Sequence, residues 1–158
     1  MATIRHVKPA DAAQWLRLRH ALWPDASENE HRAEIEKFLA GKSREPQAVL
    51  VAEDESTGSL VGLAELSIRP YADGCHTDRV GYLEGWYVAP EFRRRGIARS
   101  LVAAAESWAM SSGCTEFASD TEVDNELSAA VHRRCGFEEV GVIRCFKKTL
   151  RQKEPESR

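Results

Sequence analysis

Residues 88–101 read VAPEFRRRGIARSL, in which Arg93, Arg94 and Arg95 run straight into Gly96 and then into an amphipathic stretch. A strand ending at Val88, a tight turn and a helix starting beyond Gly96 would gather unpaired backbone N–H groups around one concavity. That concavity lies at the positive end of the helix dipole, which is the chemistry of an anion site. A glycine there lets the backbone approach a ligand closely, and the small Ala98 extends the clearance. No GKS or GKT follows and GxGxxG is absent, so the turn is neither a Walker loop nor a dinucleotide fingerprint. Two carboxylates add a second chemistry. Glu84 lies inside the run VGYLEGWYV and Asp120 closes the run EFASD. If both face one cleft, one holds an ammonium and the other takes or relays its proton, a step any amine nucleophile requires at neutral pH. A backbone N–H near Val88 would polarise a carbonyl under attack. His132 is a further acid–base candidate on a helix, and Trp23 and Tyr71 offer flat faces to a saturated ring or an ammonium.

These groups need a scaffold, and the hydrophobic patterning supplies one. A short strand over 2–7 precedes a helix signalled by Pro9-Ala10-Asp11, with Trp15, Leu18 and Leu22 on one face and Pro24 as its stop. A shorter helix runs from about Glu28 to Gly41, and its His31 and Glu34, lacking a second histidine of zinc-motif spacing, read as a solvated face. AVLVAE (48–53) and LVGLAELSI (60–68) form a hairpin around Thr57-Gly58, and 71–79 is a loop. The strand 80–88 then leads through the arginine turn into a helix carrying Ile97, Leu101, Ala104, Ala105 and Trp108 on one stripe. A strand over 116–120, a helix capped by Asp124 or Asn125 and ended by Gly136, and closing strands over 137–150 complete the chain. The fold class is α/β: a mixed central sheet with antiparallel N-terminal strands, a parallel βαβ crossover and helices on both faces. Residues 1–150 make a single domain, and 151–158 read as a disordered tail.

Composition narrows the function classes. The 158 residues, 42% of them apolar, fit one domain with a sizeable core. A net charge of −3 argues against a general nucleic-acid binder, so any anion site is local. Cys75, Cys114, Cys135 and Cys145 form no CxxC pair and no zinc spacing, which fits reduced thiols, a cytoplasmic location and no metal. No apolar run approaches the roughly 20 residues of a membrane helix.

The turn Val88–Ala98 after a long strand, followed by Asn125-x-x-Ser128 and by His132 ahead of Gly136-Phe137, resembles the GCN5-related N-acetyltransferase superfamily over nearly the whole chain. The resemblance implies acetyl-coenzyme A as co-substrate. Its pyrophosphate would rest on Arg93, Arg94, Arg95, Gly96, Ile97, Ala98 and Arg99, its pantetheine arm would run along Trp86, Tyr87 and Val88, and Asn125 would contact it. The patches LWP (22–24), YADGC (71–75), YLEGWYV (82–88) and ASDT (118–121), with the histidine of VHRRCGF (131–137), are similar to aminoglycoside 6′-N-acetyltransferases. That narrower resemblance implies an acceptor site of Trp23, Tyr71, Glu84 and Asp120, catalysis by Asp120, Glu84 and His132, direct attack in a ternary complex, antibiotic resistance and a homodimer. His132 stands where the superfamily usually has tyrosine as the acid for the departing thiolate, and Asp25-Ala26-Ser27 lacks the histidine that would contact the drug. Acetylation of another polyamine or an amino-acid-derived amine, or acyl-CoA binding without catalysis, are the alternatives.

Overall fold

The computed structural model describes residues 1–152, so the expected tail lies, from residue 153 on, outside the described residues. Five strands form one sheet in sequence order: β1 (Ala2–His6), β2 (Ala48–Asp54), β3 (Leu60–Arg69), β4 (Val80–Val88) and β5 (Glu116–Ser119). The first four pair antiparallel, and β5 pairs parallel to β4. The parallel step needs a crossover, provided by α3 (Ile97–Ser111).

β2 and β3 read as unbroken apolar runs because both sheet faces are covered. Val49, Val51 and Leu63 point toward α1 (Ala12–Leu22) and α2 (Glu28–Leu39), joining Trp15, Leu18 and Ile35. Their neighbours Leu50, Ala52 and Ala64 point the other way, onto Leu101, Val102 and Ala105 of α3. Ser27 starts α2 with a reciprocal capping box: its hydroxyl accepts from the Glu30 N–H, and the Glu30 carboxylate accepts from the Ser27 N–H. Pro9–Asp11 forms a 3-10 turn ahead of α1, pinned by the Arg5 guanidinium on both Asp11 oxygens at 2.7 and 3.0 Å. A last helix, α4 (Glu126–Arg134), is capped by Asn125, whose side-chain oxygen accepts from the Ser128 N–H at 3.0 Å.

Two features of β4 shape the middle of the sheet. Glu65 sits opposite Gly85 and Leu66 opposite Leu83, so Glu84 is an extra residue, a bulge. The β4–β5 ladder ends at Leu83 opposite Ser119, and residues 84–88 have no strand partner on that side among the described residues. A strand interrupted by a bulge and then left unpaired on one edge opens a cleft in the middle of the sheet.

The expected closing strands over 137–150 do not form. Phe137 packs against Phe117 and His132, and from there to residue 152 the chain carries no regular structure and exposes Val140, Val142, Ile143, Phe146 and Leu150. Alternating apolar residues make a strand only where a neighbouring strand takes their backbone hydrogen bonds, and these have none within the described chain. The expected strand over 116–120 stops at Ser119, which leaves Asp120 just beyond the sheet.

Candidate functional site

The cleft brings Glu84 and Asp120 into one connected group through two residues that sequence reasoning missed. Arg69, at the end of β3, forks onto Glu84, with Nε to Oε1 at 2.8 Å and an Nη to Oε2 at 2.5 Å. The same guanidinium lies over the Tyr82 ring, 3.6 Å from its centroid. The Tyr82 hydroxyl donates a short hydrogen bond to Asp120. Burial, reinforced by that carboxylate, pushes the Tyr82 hydroxyl well above the ordinary phenol range, so it stays a donor. The side chain of Glu84 is 16% exposed, and Asp120 faces solvent. A ring of two carboxylates, one guanidinium and one phenol thus stands at the point where β4 and β5 part.

Trp23 closes one side of this ring. It follows the last residue of α1, and its indole lies on Gly85, where an added Cβ would come within 2.5–2.7 Å of the ring. Only glycine leaves room for the indole beside Glu84. Tyr71 is exposed, donates to Asp73 at 3.1 Å, and is followed by Ala72, which packs against Tyr82. His31, expected on a solvated face, is instead buried at 2% exposure under the α1–α2 corner, because Arg19 and the Trp23 carbonyl engage its two ring nitrogens.

Beyond the end of β4 comes the arginine turn. Gly96 adopts φ 81° and Arg94 φ 63°, both left-handed, so the turn curls back on itself before α3 begins. Ser100 makes the first helical hydrogen bond, to the Gly96 carbonyl, and Gly96 supplies no side-chain cap. The N–H groups of Ile97, Ala98 and Arg99 therefore point out of the helix start with no helical carbonyl to meet. A Cβ built on Gly96 would touch no protein atom within 4 Å, so the space in front of the turn is open. The arginine side chains are less available than their number suggests. Arg93 donates from Nε to the Val88 carbonyl at 2.9 Å, Arg95 lies over Phe92 and Arg99 reaches the Arg134 carbonyl at 2.9 Å. Backbone N–H groups and the helix dipole, more than guanidinium groups, make the front of this turn electropositive.

Trp86, Tyr87 and Val88 do not share a face. Trp86 and Val88 pack on the α3 side of the sheet and Tyr87 on the α1 side, as a period of two demands. His132 stands edge-on to Trp86 with ring centroids 5.0 Å apart. Its Nδ1 lies 2.8 Å from the Ser128 carbonyl and so carries the proton, and its Nε2 lies 2.9 Å from the Ser119 hydroxyl. In the neutral ring Nε2 accepts from Ser119. Once protonated, it donates to the hydroxyl oxygen, and the hydroxyl turns to the Leu83 carbonyl at 3.3 Å. Ser119, the last residue of β5, couples His132 to the cleft.

The strand β4 thus carries a row of ionisable side chains where it parts from β5 and leads, through the arginine turn, into an uncapped helix start. The model of the acetyltransferase (GNAT) family matches residues 15–137, and the chain belongs to that family. An aminoglycoside N(6′)-acetyltransferase type 1 of Klebsiella aerogenes is 51% identical over 147 residues, covering 93% of this chain and 96% of the relative. Its counterpart from Stenotrophomonas maltophilia is 40% identical over 149 residues, covering 94% of each. The solved structure of AAC(6′)-Iy in complex with a bisubstrate analogue, coenzyme A joined through sulfur to monomethyl-acetylneamine, superposes with a TM-score of 0.87 at 36% identity. That match covers 95% of this chain and 99% of the other.

Proposed function

We propose that this protein transfers an acetyl group from acetyl-coenzyme A to the 6′-amine of aminoglycosides, and so confers resistance to them. The observation that carries the reading is the row of Glu84, Arg69, Tyr82 and Asp120 at the parting of β4 and β5, with the turn that follows β4 leading into the uncapped N-terminus of α3. It is supported by relatives that carry this activity in their names.

Acetyl-coenzyme A supplies the activated acyl group, as a thioester. The turn from Arg93 to Arg99, with Gly96, Ile97 and Ala98 at its centre, holds the pyrophosphate through backbone N–H groups, while Trp86, Val88 and the backbone at Tyr87 flank the arm and Asn125 borders it. Glu84 holds the ammonium of the acceptor, and Trp23 and Tyr71 stack against its rings. Asp120, held by the Tyr82 hydroxyl, takes the proton of the reacting ammonium. The free amine then attacks the thioester carbonyl, the N–C bond forming as the C–S bond breaks. The nitrogen sheds its second proton to water as it becomes the amide, and the leaving sulfur takes the Ser119 hydroxyl proton while His132, protonated beforehand from solvent, replaces it from Nε2. The amine has to be held at one position because a polycationic drug offers several.

The working unit is the single domain of residues 1–150, and we propose that it acts as a homodimer in the cytoplasm. The free thiols fit a reducing compartment. The segment 137–150 exposes five large apolar side chains while the outer edge of β5 has no strand partner among the described residues, so a second copy is the occupant that would bury both.

The test is an acetyl-transfer assay over a panel of amines, with the product located by mass spectrometry and NMR. The expected product is the 6′-acetamide, and a drug with a 6′-hydroxyl in place of the amine is not turned over. Efficient acetylation of that drug at another amine overturns the 6′ assignment, and activity confined to unrelated amines overturns the aminoglycoside reading.

A further inference from the structure

Beneath Trp23 runs a chain of buried polar groups that the acetyl transfer itself does not use. Glu65 lies within the apolar run of β3 at 2% exposure, directly opposite Gly85. One of its oxygens accepts from the Trp15 indole N–H at 3.0 Å, and the other from Arg19 at 3.1 Å. Burial pushes the Glu65 carboxyl above the ordinary range, opposed by the Arg19 charge and the Trp15 hydrogen bond. The Arg19 Nε faces His31 Nδ1 at 3.4 Å, and His31 Nε2 lies 3.0 Å from the Trp23 carbonyl. A carbonyl only accepts, so Nε2 carries the imidazole proton and Nδ1 presents its lone pair to Arg19. Each member of the chain is hydrogen-bonded to the next, and the chain ends on the backbone of one residue.

Trp23 needs such a hold. It is the first residue past the end of α1, where backbone groups lose their helical partners, and Pro24 follows it. The chain fixes it at three points. Its N–H donates to the Arg19 carbonyl at 2.8 Å, its carbonyl accepts from His31, and its ring lies between Gly85 and the Arg19 guanidinium, 5.0 Å from the ring centroid. A buried ion pair contributes little net stability compared with apolar residues of the same volume, so directional fixing of a neighbour is the property that distinguishes it.

We infer that Glu65, Arg19 and His31 form a positioning relay that sets the Trp23 indole as the wall of the acceptor site beside Glu84, and that the relay governs affinity for the ring-bearing amine without touching it. The inference rests on the reading that Trp23 contacts the acceptor. Four variants separate the two: Trp23→Ala, His31→Leu, their combination, and His31→Gln, which keeps an N–H donor toward the Trp23 carbonyl. Kinetics with kanamycin as the probe and acetyl-coenzyme A as co-substrate are expected to show His31→Leu raising the kanamycin KM about fivefold to tenfold, the scale of one buried hydrogen bond. The KM for acetyl-coenzyme A and kcat stay within about twofold on the same basis. His31→Gln recovers most of the loss, and His31→Leu adds nothing when Trp23 is already alanine. If Trp23→Ala leaves the kanamycin KM unchanged, the contact reading itself falls. If Trp23→Ala raises it but a folded His31→Leu does not, or raises both KM values alike, or adds its full effect to Trp23→Ala, the relay is overturned. Should His31→Leu fail to fold, Arg19→Lys decides. It keeps the charge opposite Glu65 but loses the Nε–H toward His31, and an unchanged kanamycin KM in that variant overturns the relay as well.

Discussion

Glu65 and Glu84 lie on neighbouring strands, one residue apart in register, and each is paired with an arginine, yet they stand at opposite ends of solvent access. The Glu65–Arg19 pair is sealed, with side-chain exposures of 2% and 10%, whereas Glu84 and Arg69 retain 16% and 33%. The bulge accounts for this. Gly85 stays in the ladder opposite Glu65, under the indole of Trp23, and the extra residue Glu84 is turned out toward the cleft. A sealed pair cannot change partners, because breaking it leaves a charge in a dry interior. A half-open pair can trade one cation for another, since water screens the intermediate arrangement. Two similar ion pairs therefore serve as a fixed frame and as an exchangeable seat, with Arg69 holding the seat that an incoming ammonium would take.

Matched substitutions put that contrast at risk. Glu65→Gln keeps the shape and much of the hydrogen bonding but strands the Arg19 charge, so we expect a loss of about 3 kcal/mol in stability, read by denaturant unfolding. Glu84→Gln is expected to cost under about 1 kcal/mol in the same measurement, because Arg69 is open to water. A similar stability loss from both would erase the distinction between frame and seat. Asp120→Asn keeps the Tyr82 contact but removes basicity, and kcat is expected to fall about 100-fold, with acetyl-coenzyme A affinity unchanged by calorimetry. A fall confined to drug affinity would make Asp120 part of the seat and not the base. For Glu84→Gln the drug KM should rise about 10-fold, the worth of a charge-assisted hydrogen bond, while kcat changes little.

Much of the architecture was legible in the sequence, for reasons that can be named. Helix α3 and its turn were readable because a 3.6-residue stripe and a glycine at the helix start are local signals. Glu84 and Asp120 stood out as charges inside or at the end of apolar runs. The Arg69–Tyr82 bridge was not readable, since it depends on which residue the β4 bulge sets aside, and register is not a property of one strand. The burial of His31 escaped because its partners lie 12 residues away at Arg19 and, through Arg19, across to β3. One signal was available: Glu65 sits in LVGLAELSI, and a carboxylate in a strand covered on both faces demands a buried cation or donor. The closing strands were expected from alternation alone, which records a capacity to pair and says nothing of where the partner is. Gly96 takes the left-handed backbone that glycine favours, whereas the arginines beside it are mostly committed to protein carbonyls and rings.

A third ion pair lies between the two extremes. Asp11 has a side-chain exposure of 9% and its partner Arg5 of 22%, and the pair joins β1 to the turn that launches α1. The Arg5 hydrogen bonds, together with the Lys8 N–H, hold the Asp11 carboxyl below its ordinary value against a smaller opposing effect of burial. A carboxyl whose pKa is lower in the folded state stabilises the fold at every pH above its unfolded value, about 4, and loses that contribution as pH falls through the lower folded value. Asp11→Asn is therefore expected to cost about 1 kcal/mol at pH 7, a value between those of the open and the sealed pair. The difference from the parent protein should shrink steadily below about pH 4 and close once both states of the parent are protonated. Unfolding curves at a series of pH values check this directly. A gap between the two proteins that stays constant down to about pH 2, below the unfolded value, would mean that Asp11 acts by shape and neutral hydrogen bonding, and that the grading of the three pairs by solvent access does not extend to the N-terminal edge of the sheet.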